Sequence, residues 1–129
     1  MRSGRGRTAQ AASRWVGSSR KDLKRFPEEV QDVLGRALLD TQFGDRPADA
    51  RPLKGFGGAS VLEITEDFRG DTYRVVCTVR FPGAVYVLHA FKKKSKRGAR
   101  TPRREMDLVR DRYRAAERHF REHDGGDGP

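Results

Sequence analysis

The sequence has little cysteine and no long apolar run. Its 129 residues include one cysteine, Cys77, which cannot form an internal disulfide or a cysteine cluster for a metal. No apolar stretch approaches the ~20 residues of a membrane-spanning helix, and no apolar segment follows the basic N-terminus as a secretory signal requires. These absences, and a length suited to one domain, predict a soluble, cytoplasmic protein with no membrane partner.

Acidic residues are nearly missing from two short segments, which hold the whole excess of positive charge. The chain carries 28 Lys+Arg against 18 Asp+Glu, a formal net charge of +10. Residues 1–25 contain eight basic side chains and one acid, and residues 92–104 contain eight and none. This charge favours a polyanionic partner such as nucleic acid, although an acidic protein would also satisfy it.

Large apolar residues are also missing from both ends of the chain. Residues 1–12 are therefore predicted to form a disordered basic arm, and the glycine-rich residues 124–129 a disordered tail. Residues 13–123 are predicted to form the folded domain. The second basic segment directly follows a strongly apolar stretch, so a folded scaffold would hold it in place. It is the better candidate for a binding site.

The apolar pattern predicts an α+β fold. A short strand at 15–16 precedes a helical segment that starts near Arg20, and a second helix starts at Pro27. Strands at 60–64, 73–80 and 84–91, joined by short turns, predict a small antiparallel meander. A C-terminal helix is predicted over 103–123, and the two N-terminal helices are expected to pack on the sheet.

Simple alternation assigns the faces of the last strand of this meander. It places His89 and Phe91 on one face with Val85 and Val87, and the residues between them on the other face. The sequence does not decide which of these faces packs against the helices.

The local sequences, taken in order, resemble the RelE/HigB superfamily of bacterial toxins, in its phage-derived HigB-like branch. The match lies in residues 26–30, 52–58, 61–64, 70–75 and above all 86–95, followed by Thr101-Pro102. Within it, Tyr73-Arg74 corresponds to the family's Tyr-Arg motif. The resemblance covers about four fifths of the chain in the family's order.

The resemblance implies a RelE-like fold and the toxin of a type II toxin–antitoxin system. Such a toxin is a metal-independent endoribonuclease, or mRNA interferase, which cleaves mRNA in the ribosomal A site and inhibits translation. The implied partners are mRNA and rRNA on the ribosome and a cognate antitoxin, usually a small helix-turn-helix protein; no cofactor is implied. Two alternatives stay open: a non-catalytic RNA- or ribosome-binding protein, and an inactive phage-derived remnant that binds an antitoxin-like partner.

Cleaving RNA without a metal requires a proton acceptor, a cation for the phosphorane charge and a proton donor. The resemblance assigns the cation to Arg74, for which a paired strand arginine is the alternative. His89 suits acid–base work because histidine exchanges protons near neutral pH; the alternative, of about equal weight, is a core histidine hydrogen-bonded to backbone. Lys93 and Lys94 occupy the position after the strand from which relatives direct cations into the cleft.

Five further basic residues are candidates for binding RNA or the ribosome: Lys54, Lys92, Lys96, Arg97 and Arg100. Solvated surface charge is the alternative for each of them. The best-known RelE members place lysines on the first meander strand and a tyrosine after the basic loop, whereas this chain has 61–64 without lysine and then Thr101-Pro102. The proton acceptor and donor therefore cannot be copied from RelE.

Overall fold

The computed structural model describes residues 9–58, 60–93 and 100–123. Its helices and strands, in chain order, are β1 (Ala12–Trp15), α1 (Ser19–Leu23), α2 (Glu28–Gln42), β2 (Ala50–Pro52), β3 (Val61–Phe68), β4 (Asp71–Thr78), β5 (Ala84–Lys93) and α3 (Arg103–His123). The predicted α+β class is confirmed, and α3 has the predicted bounds.

The strands form one mixed sheet in the order β1-β5-β4-β3-β2. β3, β4 and β5 are the predicted antiparallel meander. β1 joins β5 in parallel, so the prediction of a purely antiparallel sheet is wrong at that edge. At the other edge β2 adds a short antiparallel strand beside β3 that was not predicted. Parallel pairing of β1 with β5 joins distant parts of the chain, and β2 is too short, at three residues ending in proline, to show an alternating pattern.

Ordered structure begins before the predicted end of the basic arm. The backbone N–H of Ala11 donates to the carbonyl of Gln42 at 2.8 Å, and that of Ala12 donates to the carbonyl of Gly83 at 2.9 Å. The last two residues of the predicted arm therefore belong to the domain. Residues 1–8 of the predicted arm and the predicted tail, 124–129, lie outside the described residues.

Helices cover both faces of the sheet. α1 and α2 pack on one face, as predicted, and α3 packs on the other, which we call the α3 face. In α2 the buried Val30, Leu34 and Leu38 recur every fourth residue and form the stripe that contacts the sheet. Cys77 lies in the same core, and burial raises the pKa of its thiol to about 12, so it packs as a small apolar residue.

A β-bulge interrupts β5 where it pairs with β4. Val76 pairs with His89 and Cys77 pairs with Val87, so Leu88 has no pairing residue on β4. One extra residue reverses the period-two pattern for all that follows it.

The bulge changes the faces predicted for β5. Val85 and Val87 pack in the core under α1 and α2, whereas Phe91 packs in the core under α3 and His89 contacts α3. The prediction that His89 and Phe91 share a face with Val85 and Val87 is therefore wrong. His89 instead shares the α3 face with Arg74, since Arg74 pairs with Phe91.

Two leucines of α2 test this packing. Leu34 is fully buried and Leu39 is 43% exposed. We expect Leu34→Ala to lower the free energy of unfolding by about 2–5 kcal/mol, because it leaves a cavity in the core. Leu39→Ala, the matched control, should change it by less than about 1 kcal/mol. Urea denaturation measures both, and equal losses would contradict the described orientation of α2.

Candidate functional site

Three charged side chains gather on the α3 face, one from each strand of the meander. Arg74 pairs across the sheet with Thr65 of β3 and Phe91 of β5. Glu63 lies two residues before Thr65 and Lys93 two residues after Phe91, so alternation brings both to the same face. We call Glu63, Arg74 and Lys93 the charged cluster.

Arg74 is buried, and one of its guanidinium nitrogens forms an ion pair. Its Nη1 donates to Oε1 of Glu63 at 2.9 Å, and the two side chains are 3% and 13% exposed. Its Nε and Nη2 are buried without a hydrogen-bond partner among the described residues. An unsatisfied buried donor costs about 1–3 kcal/mol. Because Nε and Nη2 form one edge of the guanidinium, they suit two oxygens of a single anion.

Both oxygens of Glu63 are engaged. While Oε1 accepts from Arg74, Oε2 accepts a hydrogen bond of 2.7 Å from Oγ1 of Thr101, a buried residue just before α3. Sequence reasoning did not select Glu63. Glu63 is one of three acids in β3, and only the strand register shows that it is the one that meets Arg74.

Lys93 lies at the end of β5, where its Nζ donates to the carbonyl of Arg100. Desolvation lowers the pKa of Lys93, the positive charge of Arg74 lowers it further, and the charge of Glu63 opposes both. A lysine with a lowered pKa releases its proton more readily near neutral pH. Lys93 is therefore the member of the charged cluster best suited to donate a proton.

His89 is held by α3 through both ring nitrogens. Its Nε2 lies 2.6 Å from Oε1 of Glu105, and its Nδ1 lies 3.4 Å from Nη1 of Arg112. The buried ring also stacks on Phe91, with centroids 5.0 Å apart. Because a guanidinium only donates, this hydrogen-bond network assigns the ring proton to Nε2, facing Glu105. The partners of His89 are thus side chains, where the sequence suggested backbone as the alternative to catalysis.

Arg112 joins α3 to the bulge in β5 and to the turn before α1. Its Nη1 donates to the carbonyl of Leu88 and its Nη2 to Oγ of Ser18, each at 3.0 Å. A Cβ atom on Gly17 would lie 2.7 Å from Nε of Arg112, and Gly17 also has a positive φ of 57°. Glycine at this turn therefore leaves the space that Arg112 occupies.

Two of the RNA-binding candidates lie outside the charged cluster. Lys92 pairs with Tyr73, so it points to the opposite face of the sheet, where its Nζ lies 3.7 Å from a carboxylate oxygen of Asp71. Lys54 is exposed in the loop before β3, and this loop contacts α3 through the rings of Phe56 and Tyr113.

The remaining candidates lie in the basic segment that follows β5. Arg100 is exposed, and its carbonyl accepts from Lys93. Lys94, Lys96 and Arg97 lie outside the described residues. The structure thus brings Arg74 and Lys93 together with Glu63, which the sequence did not select, and places His89 on the same face.

Residues 9–58, 60–93 and 100–123 offer neither a metal-binding group nor a membrane-spanning helix. This part of the chain holds no group of three or more His, Cys, Asp or Glu side chains arranged to bind a metal ion. No helix within it combines the length and the apolar character needed to cross a membrane.

Most of this chain matches the sequence model of one protein family. The model described as "Phage derived protein Gp49-like" matches residues 21–114, which is more than half of the chain. The chain belongs to the phage-derived Gp49-like family. The resemblance to the phage-derived, HigB-like branch of the RelE/HigB toxin superfamily is thereby confirmed. The matched residues of this Gp49-like chain include the charged cluster, His89 and Glu105.

One solved structure similar to this Gp49-like chain is that of the toxin–antitoxin complex RelBE2 from Mycobacterium tuberculosis. The two chains are 14% identical, with a TM-score of 0.48, and the similarity covers 66% of this chain and all of the other. No curated protein matches the sequence significantly.

The Glu63–Arg74 pair should be strongly coupled, because removing either partner leaves a buried charge unpaired. We expect Glu63→Gln and Arg74→Met each to lower the free energy of unfolding by about 3–5 kcal/mol. The double variant should lose less than the sum, since it leaves neither charge behind. Chemical denaturation of the four proteins measures this, and strictly additive losses would contradict the coupling.

The pair Asp111–Arg114 is the matched control. It joins the same types of group at 3.3 Å on the outer surface of α3, with side chains 75% and 62% exposed. Asp111→Asn and Arg114→Met should each change the free energy of unfolding by less than about 1 kcal/mol, because water already solvates both charges.

Proposed function

We propose that this protein is the toxin of a type II toxin–antitoxin system and inhibits translation by cleaving mRNA in the ribosomal A site without a metal. The family supports a toxin. The observation that carries the proposal of cleavage is the edge of Arg74 formed by Nε and Nη2, which has no hydrogen-bond partner among the described residues and lies beside Glu63 and Lys93. Such an edge bonds two oxygens of one phosphodiester.

The charged cluster offers a group for each step of the reaction. Glu63 would accept the proton of the ribose 2′-hydroxyl, whose oxygen then attacks phosphorus. Arg74 would stabilise the charge of the phosphorane. Lys93 would give its proton to the leaving 5′-oxygen as the P–O5′ bond breaks. The products are a 2′,3′-cyclic phosphate and a 5′-hydroxyl, with the proton gained by Glu63 and the other lost by Lys93.

His89 is the second candidate for proton donation. Because both of its ring nitrogens contact α3, a direct role requires Glu105 or Arg112 to release the ring. An ammonium group has three donors, so Lys93 can donate to the leaving oxygen while it keeps its hydrogen bond to the carbonyl of Arg100, and its lowered pKa favours proton release. We therefore assign donation to Lys93 and keep His89 as the alternative.

The basic segment would supply affinity for the RNA backbone. We propose that Lys94, Lys96, Arg97 and Arg100 contact phosphates of the ribosome-bound RNA, with Lys54 and Lys92 at the periphery. Contacts of this type are sequence-independent and weaken as salt rises. The same charge would attract an acidic segment of the cognate antitoxin, which we propose is a small helix-turn-helix protein.

Induction of the protein in bacteria should arrest translation, and primer extension on cellular mRNA should show discrete cuts within codons. Arg74→Lys keeps the charge but loses the two-point edge, so we expect it to reduce cleavage by about 10²–10³-fold. Arg114→Lys, on the exposed surface of α3, is the matched control and should cleave like the wild type.

Two other outcomes would favour the alternatives. Arrest without discrete cuts would support an RNA- or ribosome-binding protein that does not cleave. Growth without arrest, with the protein folded and abundant, would support an inactive remnant.

A proton donated by Lys93 gives cleavage a characteristic pH dependence. The rate should fall as pH rises through the pKa of Lys93, which burial places below the usual lysine range, because only the ammonium form donates. Lys93→Arg carries a guanidinium that keeps its proton, so it should cleave slowly and without this alkaline fall. Single-turnover cleavage of ribosome-bound mRNA across pH measures both, and an unchanged alkaline fall in the variant would assign the donor elsewhere.

A further inference from the structure

Residues 100–105, which lead into and begin α3, are tied to the proposed site by three contacts. The carbonyl of Arg100 accepts from Lys93, Thr101 donates to Glu63 at 2.7 Å, and Glu105 lies 2.6 Å from Nε2 of His89. Each contact thus engages a side chain with a proposed role in proton transfer, namely Lys93, Glu63 or His89. We call residues 100–105 the cover segment.

The edge of Arg74 formed by Nε and Nη2 is closed to solvent in the structure that contains these contacts. Nε and Nη2 are buried and have no partner in the described residues, although they are the donors that an RNA phosphate would need. Oε2 of Glu63 already accepts a hydrogen bond from Thr101, which takes up one of the lone pairs of this oxygen. The described arrangement thus buries the donors that would bind a phosphate and engages the carboxylate that would accept the proton.

We propose that the cover segment is an autoinhibitory element, which the contacts of Thr101 with Glu63 and of Glu105 with His89 hold closed until a phosphodiester binds Arg74. The closed state satisfies Glu63 and His89 but leaves the edge of Arg74 unsatisfied. A phosphate satisfies that edge only when the segment has moved. Because the anion binds the open state alone, it shifts the equilibrium toward opening.

Opening need not disturb the rest of α3. Val109 and Ala116 are fully buried against the sheet and anchor the middle of the helix. Arg112 adds its hydrogen bond to the carbonyl of Leu88. Movement of the cover segment would therefore stop at about the first turn of α3, before Val109.

This inference rests on the proposed function only for the identity of the anion, so its first test involves no catalysis. In the double variant Thr101→Val with Glu105→Gln, exchange of the Arg74 Nε–H with solvent, followed by NMR, should be about tenfold faster than in the wild type. Binding of inorganic phosphate, followed on the same resonance, should tighten by about the same factor.

The matched control is Thr78→Val with Asp107→Asn. Thr78 is a buried threonine on the same face whose hydroxyl donates to the carbonyl of Ser60, and Asp107 is an exposed acid of α3. The control should exchange and bind phosphate like the wild type. Glu105→Gln alone should give a smaller increase in exchange, and it replaces the double variant if circular dichroism shows that the latter is unfolded.

Equal exchange rates and equal phosphate binding in wild type, control and folded cover variants would overturn the inference. Cleavage then separates the two proposals. If the cover variants cut ribosome-bound mRNA faster than the wild type, both stand. If the cover variants exchange faster and bind phosphate more tightly, but neither they nor the wild type cleave RNA, the cover segment is confirmed as a closure of the anion site and the proposed function fails.

Discussion

The ion pair between Glu63 and Arg74 is the interaction on which the arrangement of the site depends. Burying a guanidinium is tolerable only beside an opposite charge, so Glu63 fixes where Arg74 can lie. With Nη1 bonded to Glu63, Nε and Nη2 are the guanidinium nitrogens that lack a hydrogen-bond partner in the part of the chain that the structure describes. Thr101 and Lys93 gather around the same two charges, which is how the end of β5 and the beginning of α3 come to share one site.

Elements specified by local patterns could be predicted from the sequence, and elements specified by distant pairing could not. The meander, α2 and α3 have apolar periodicity and clear turn or capping residues, and they lie close to their predicted positions, although β3 continues to Phe68 and β4 begins at Asp71. The parallel contact of β1 with β5 and the bulge at Leu88 depend on chain segments that meet only in the folded protein. The bulge matters most, because it decides that His89 faces α3.

The residues of the site also divide into those that the sequence indicates and those that only the folded structure reveals. The resemblance to the toxin family predicts Arg74 and Lys93 as site residues, and the structure places them close together. Glu63 reads in the sequence as an ordinary polar position on a half-buried strand, since nothing local distinguishes a solvated acid from one that faces Arg74. The partners of His89 come from α3, so no pattern within β5 could have indicated them. The roles of Lys94, Lys96 and Arg97 stay predictions.

Gly17 extends the functional part of the molecule well beyond the charged cluster. A side chain at this turn would displace Arg112, which holds the carbonyl of Leu88 and the ring of His89. A substitution near the N-terminus would thereby disturb the contacts of α3, near the other end of the chain. In a selection for cells that survive induction of the protein, substitutions of Gly17 should therefore be recovered alongside substitutions within the charged cluster.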